Sequence, residues 1–254
     1  MTTIPDKTSI LRTVDINRSF GMVTAADNLN IEVSPGEMVG IVGANGSGKT
    51  TFLNLVTGYL APESGRIMVM GQDTTGLPPR SVTKLGVARS FQIPQLYTNM
   101  SVLEGMLLSL AATAGEASGF WKPIDREPWK SEALANLENF GLSSYADRAV
   151  SELPHGGRKL LDIALSFALK PKILLMDEPT SGVSIEEKFQ VMDTLVKVLQ
   201  QGDITTIFVE HDMEVVQRYS ERVIVFDTGR VIADGEPEKV LADPEVVRAV
   251  LGGV

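Results

Sequence analysis

Four apolar runs, residues 38–42, 173–176, 205–209 and 223–226, punctuate the chain without the clean alternation of a half-exposed strand. Runs of that length fit strands covered on both faces, the usual condition in a parallel sheet. Three other segments, 11–16, 29–33 and 66–69, do alternate and sit between Gly and Pro turns. They predict an antiparallel layer at the edge of the fold. Helical spacing fills the intervals: Ile185, Phe189, Met192, Leu195, Val196 and Leu199 recur on one face, and Ser184 with Glu187 forms a capping box where that helix begins. Strand alternating with helix predicts an α/β fold with a mostly parallel sheet.

The stretch 95–151 breaks this rhythm, with no run of the buried-strand kind and several helical signals. Ser101 and Glu104 make a second capping box, followed by Val102, Leu103, Met106, Leu107 and Leu110 on one side of a helix. A further helix is expected over 131–140, stopping at Gly141. Residues 115–128, with two Gly, two Pro and scattered charge, read as a loop. These features describe an inserted helical lobe. The chain is then one domain over 1–254, with a core from 1–92 and 152–254 and a helical subdomain over 93–151.

The candidate chemistry begins where the first buried run ends. Residues 43–50 read G-A-N-G-S-G-K-T and lead into a helix-like stretch, 51–56. A Gly-rich loop leaving a buried strand turns successive backbone N–H groups inward at a helix N-terminus, a cradle for nucleotide phosphates. Gly43, Asn45, Gly46, Ser47, Gly48, Lys49, Thr50 and Thr51 are therefore the candidate phosphate-binding residues. Lys49 would reach the β- and γ-phosphates, and Thr50 would offer a hydroxyl to Mg²⁺. Asp177 and Glu178 emerge at the end of the run 173–176, the place at which open α/β sheets bind ligands. Asp177 is suited to hold Mg²⁺, directly or through water, and Glu178 to polarise the water that attacks the γ-phosphate. The bland alternative is a solvated turn that ends the strand before Pro179.

Composition narrows the partners. With 254 residues, 43% hydrophobic and 22% charged, the chain can bury one sizeable core. Lys and Arg number 23 against 32 Asp and Glu, a net charge of −9 that argues against broad nucleic-acid binding. No apolar run approaches the roughly 18 residues that span a bilayer, and residues 1–8 lack the apolar stretch of a secretory leader. Any membrane role is expected to run through a partner. Cysteine is absent, which removes disulfides and thiolate metal sites and fits a reducing compartment.

Further motifs accompany the phosphate loop and the acidic pair: Phe91-Gln92, Leu153-Pro154-His155-Gly156-Gly157, Ser181-Gly182-Val183-Ser184, and a histidine, His211, just after a buried run. Together they make the chain resemble an ABC-type ATPase over nearly its whole length. The stretch 86–107, Ile163-Ala164, Glu210-His211-Asp212-Met213 and the tail 232–247 resemble, more narrowly, the larger of the two ATP-binding subunits of branched-chain amino acid importers. The resemblance implies a P-loop NTPase core with an antiparallel β layer and an inserted helical subdomain. It also implies a head-to-tail dimer in which ATP lies between one subunit's phosphate loop and the other's signature segment. ATP and Mg²⁺ are the implied cofactors, with Thr50, Gln92 and Asp177 around the metal and Glu178, His211 and Gln92 as the catalytic set. Gln92 would sense the γ-phosphate, and His211 would donate to it and hold Glu178 and the water in line. Phe20 stands where the family places its adenine-facing aromatic, and either stacks on the base or belongs to the core. Pro94, Leu96, Tyr97, Met100 and Leu103 either receive helices of a membrane subunit or pack inside the lobe. Residues 181–184 would lie against the partner subunit, although the capping box explains Ser184 equally well.

The chain departs from the family at Ser184, where the family often has Asp, and more consequentially in the signature segment. Where the general pattern is L-S-G-G-Q, this chain has Leu153, Pro154, His155, Gly156 and Gly157, so the serine hydroxyl that would reach the partner's γ-phosphate is missing. Pro154 supplies neither a side-chain donor nor an N–H. Gly156 keeps the permissive backbone, a helix expected from about Arg158 keeps its N-terminal dipole, and His155 either donates or faces solvent. The opposite ATP site is then either weakened or kept by these remaining features, and pairing with a different ATPase would allow the two sites to be unequal.

The function this implies is ATP hydrolysis in a multi-subunit importer, at the cytoplasmic face of the inner membrane. The implied partners are two membrane-spanning permease subunits, a second ATPase that is a different chain or a second copy, and, indirectly, a periplasmic or extracellular substrate-binding protein. The expected cargo is a branched-chain or otherwise apolar amino acid, with urea or a short amide as the alternative. A soluble ABC ATPase would show a tandem half, a coiled-coil insert or a basic surface. A nucleotide-gated scaffold is opposed by Glu178 and not by Pro154.

Overall fold

The computed structural model describes residues 9–114 and 126–251; the expectations for 1–8 and for 115–125 of the predicted loop lie outside them. A six-stranded sheet has the order β11-β10-β4-β9-β8-β7. All four apolar runs are in it, as β4 (Met38–Gly43), β8 (Ile173–Asp177), β9 (Thr205–Val209) and β10 (Arg222–Asp227). These pair in parallel with one another and with β7 (Val87–Ser90), while β11 (Arg230–Gly235) turns back antiparallel to β10. The missing alternation has a direct cause. Leu174, Met176 and Phe208 point into a core shared with the helices, whereas Ile173, Leu175, Ile207 and Val209 point into a second core on the other face.

The antiparallel layer has the order β2-β1-β5-β6 with β3 also on β1. Its members are β1 (Leu11–Phe20), β2 (Val23–Leu29), β3 (Glu32–Val33), β5 (Ser64–Val69) and β6 (Gln72–Asp73). The strand expected over 29–33 is in fact two pieces. Asn28 has left-handed backbone at φ 54°, and Asn30 turns its amide onto the Asp15 N–H at 3.0 Å and the Asn28 carbonyl at 2.9 Å, replacing ladder bonds.

Helix α1 (Lys49–Val56) packs through Phe52, Leu53, Leu55 and Val56 into the core shared with the antiparallel layer. On the opposite face lie α3 (Val102–Thr113), α4 (Glu127–Asn139), α5 (His155–Phe167) and α6 (Ile185–Gln201); a short α2 (Pro79–Lys84) precedes β7. Both capping boxes form: Ser101 Oγ accepts from the Glu104 N–H at 3.1 Å, and Ser184 Oγ from the Glu187 N–H at 3.3 Å. The starts of α4 and α5 differ from expectation. Helix α4 starts at Glu127, because Pro128 sits in the first turn, where a missing N–H costs nothing. Helix α5 starts at His155 with Pro154 as its N-cap, so His155 to Gly157 are helical. Ile185 is 73% exposed, and α6 buries Val191 and Val198 beside Met192, Leu195 and Leu199. Among the described residues no helix is long and apolar enough to cross a membrane.

The end of α4 is fastened by Phe140, fully buried with its ring edge-on to Phe167 of α5 at 5.6 Å between centroids. Phe140→Ala is expected to cost about 3–5 kcal/mol, read as a lower urea midpoint at unchanged slope.

Candidate active site

β4 delivers the chain to the phosphate loop at Gly43, where φ is +152° and a Cβ would lie 2.2 Å from the Phe226 carbonyl oxygen. Gly48, φ +107°, is equally closed, with the Ala25 carbonyl oxygen 2.3 Å from a Cβ. Only glycine fits both. Lys49 Nζ donates to the carbonyls of Gly43 at 2.6 Å and Ala44 at 2.9 Å. Burial lowers its pKa, and the nearby charges of Glu178 and Asp177 oppose that shift. Ser47 Oγ is buried with no hydrogen-bond partner, while Thr50 is exposed at the helix start. An unpartnered buried hydroxyl beside an ammonium and a helix N-terminus matches what phosphate oxygens accept. Among the described residues no cluster of three His, Asp or Glu could hold a metal alone. A Mg²⁺ here would complete its shell with phosphate oxygens and water.

β8 ends on Asp177, whose Oδ2 accepts from Arg89 of β7 at 2.7 Å; the two side chains are only 4% and 5% exposed. Arg89 also donates to Asn54 Oδ1 of α1 at 2.5 Å, tying two strands and a helix. Glu178 follows in left-handed backbone at φ 49°, a conformation that costs a non-glycine residue energy and is found at functional sites. Its N–H donates to the Val209 carbonyl at 2.9 Å. Its carboxylate accepts from Gln92 Nε2 at 2.7 Å through Oε2, and Oε1 lies 3.1 Å from His211 Nε2. The structure thus brings the three expected catalytic residues around one carboxylate. With Asn45, Gly46, Ser47, Gly48, Lys49, Thr50 and Thr51 they line a cleft of about 260 Å³.

His211 is placed by its neighbours. Glu210, buried at the end of β9, accepts from the Thr180 N–H at 2.9 Å and hydroxyl at 2.7 Å through Oε1, and from the His211 N–H at 3.2 Å through Oε2. Burial raises its pKa against those bonds. Asp212 caps α7 (Met213–Tyr219) and pairs with Lys188 of α6 at 2.5 Å. The Gln92 segment is gripped from α5, where Asp162 Oδ2 accepts from the Phe91 N–H at 3.1 Å. Burial pushes the Asp162 carboxyl up to about 6.

The remaining expected residues fall as follows. Phe20 is 45% exposed with the Arg18 guanidinium 5.0 Å from its ring centre, so it is not core. Pro154 and His155 are exposed, Gly156 is buried and Gly157 half-buried, all at the start of α5. Leu96 and Leu103 are half-buried against the helical core, whereas Tyr97 is 68% exposed. Arg89, Asp162 and Glu210 are site residues that no local sequence pattern marks, although Arg89 and Glu210 lie inside the stretches that carry the family resemblance.

The parallel sheet, the phosphate loop at the end of β4 and the carboxylates at the end of β8 define a nucleotide triphosphatase with the P-loop fold. A family described as ABC transporter matches residues 26–181. The chain is 35% identical over 239 residues to the high-affinity branched-chain amino acid transport ATP-binding protein LivG of Escherichia coli K12, covering 92% of this chain and 94% of that one. It is also 35% identical to the probable branched-chain amino acid transport ATP-binding protein LivG of Methanocaldococcus jannaschii, covering 97% and 99%. The crystal structure of the ADP conformation of an ATP-binding cassette of an ABC transporter superposes with a TM-score of 0.86 at 33% identity, covering 96% and 99%. A dimeric cassette in a post-hydrolysis state bound to ADP and Pi superposes with a TM-score of 0.77 at 25% identity, covering 89% and 98%. The chain belongs to the ABC transporter family and is one of its ATP-binding, ATP-hydrolysing subunits.

The raised Asp162 value gives a pH signature. The folded chain holds this proton more tightly than the unfolded chain, so the contribution is complete below about pH 4 and is lost as pH rises through about 6. Asp162→Asn, which removes the ionisation, should therefore gain stability relative to the parent by up to about 3 kcal/mol between about pH 4 and pH 8, measured by urea unfolding across that range.

Proposed function

We propose that the chain hydrolyses ATP to ADP and phosphate to drive an importer of branched-chain or otherwise apolar amino acids. The observation that carries this reading is the Glu178 carboxylate, held between Gln92 and His211 at the mouth of the phosphate loop. The LivG proteins of Escherichia coli and Methanocaldococcus jannaschii, matched over nearly the whole chain, are branched-chain amino acid transport ATP-binding proteins, which supports the cargo class.

The loop N–H groups, Ser47 and Lys49 bind the phosphates, and Phe20 offers its exposed face to the adenine. Mg²⁺ would be held by Thr50 and Gln92 of the cleft and, through water, by Asp177, whose Oδ2 is engaged by Arg89, and when bound it would neutralise charge developing on the phosphates. Glu178 accepts a hydrogen bond from the attacking water and draws off its proton, and the Gln92 and His211 contacts fix the direction of its two oxygens. His211 turns its donor to the γ-phosphate in the closed site. Pro154, His155, Gly156 and Gly157 face the nucleotide of a second ATPase subunit, with His155 exposed and free to donate.

The chain sits at the cytoplasmic face of the membrane against two permease subunits, for which exposed Ile93 and Tyr97 supply apolar contact surface. A substrate-binding protein acts on it only through them. The test is affinity purification from native membranes, followed by an ATPase assay with and without an amino-acid-binding protein. Two membrane subunits and a second ATPase should co-purify, and Glu178→Gln should lower stimulated turnover about 10²-fold or more while MgATP still binds. Stimulation by a urea-binding protein alone would overturn the cargo, and recovery with ribosomes or DNA-repair factors would overturn the transport role.

A further inference from the structure

We propose that Lys159 is a positioning residue for hydrolysis, which from α5 holds the backbones of Gln92 and Glu178 in register with the phosphate loop. Lys159 is only 6% exposed, and an ammonium so placed is costly unless its donors are satisfied. Its Nζ donates to the backbone carbonyl of Gln92 and, at 3.1 Å, to that of Glu178. No other side chain among the described residues is seen to bond both segments through their main chains.

The two carbonyls belong to the residues whose side chains meet at 2.7 Å in the cleft. Glu178 sits in left-handed backbone, which persists only where surrounding bonds over-determine it. Those bonds are its N–H to the Val209 carbonyl at 2.9 Å, and its carbonyl accepting from the Ser181 N–H at 3.1 Å and from Lys159. On the Gln92 side, Asp162, three residues further along the same helix, takes the Phe91 N–H, so α5 grips this segment with a cation and an anion in succession. Lys159 does not itself line the cleft; its bonds go to the main chains of two residues that do. It therefore acts on a bound nucleotide only through where the carboxylate and amide stand. α5 opens at His155, so Lys159 stands about one turn along the helix whose start is proposed to face the partner's ATP.

This inference rests on the reading that Glu178 and Gln92 serve the γ-phosphate, and the experiment separates the two. The full-length chain, in its transporter complex, is assayed for kcat and KM with parallel titration of MgATP affinity and thermal melting. Lys159→Met is expected to lower kcat about 10- to 100-fold with MgATP affinity changed less than about two-fold, and Lys159→Arg to recover most of the loss. Parent-like kcat in Lys159→Met, an equal loss of affinity, or an Arg variant no better than Met would overturn the inference. If Lys159→Met does not fold, Lys159→Gln, too short to span both carbonyls, must show the same split of kcat from affinity, and a parent-like kcat overturns it. A Glu178→Gln control that still hydrolyses ATP would instead overturn the reading of the site.

Discussion

The nucleotide cleft is organised around one peptide unit, that of Glu178, as it leaves β8 in left-handed backbone. β8 and β9 run parallel with Asp177 opposite Val209, so the first residue past the strand can donate to the carbonyl of its neighbour. That bond turns the Glu178 side chain toward the phosphate loop, which leaves β4 at the same edge of the sheet. Parallel strands make this possible, because the carboxyl ends of β4, β8 and β9 all open on one crevice. Two glycines without room for a Cβ, Gly43 and Gly48, then let the loop close over the helix N-terminus.

Around that peptide lies an uncommon density of buried charge. Asp177 is answered by Arg89, Glu210 by the Thr180 and His211 groups, Asp162 by the Phe91 N–H, and Lys159 by two carbonyls. Each desolvated group is costly, and burial raises the Asp162 and Glu210 carboxyls against the bonds they accept. Such groups do not add stability in proportion to their number. Their bonds cross between elements, Arg89 to β8 and α1, Glu210 to the turn after β8, α5 to the Gln92 segment, so they fix relative position. Glu178, with an 18% exposed side chain, is the carboxylate in this set that faces the cleft.

Much of the scaffold was legible in the sequence, for a physical reason. Strands covered on both faces favour apolar side chains on either side, and the four runs without alternation are the four central strands, Thr205 and Thr206 being the buried polar residues of those runs. β7 and β11 escaped because β7 carries Arg89 and Ser90 among its few residues and β11 alternates between exposed and half-buried positions. The helix starts at Glu127 and His155 were displaced by prolines, which end apolar periodicity yet suit a first turn or an N-cap. The phosphate loop and acidic pair were readable because their spacing is local. Gln92 and His211 came from resemblance, since nothing near them in the chain marks them. Arg89 meets Asp177 across 88 residues of sequence, a separation at which no local pattern can announce a pair.

The hydrolytic role of the cleft requires the Glu178 carboxylate to face the γ-phosphate of an ATP bound on the loop at Gly43 to Thr51. It is tested most directly by a structure of the full chain carrying Glu178→Gln with MgATP. The γ-phosphate should lie between Gln92 and His211, with Lys49 Nζ within hydrogen-bond reach of the phosphate oxygens and Phe20 against the base. A nucleotide bound away from residue 178, or with its γ-phosphate beyond reach of both Gln92 and His211, would contradict it.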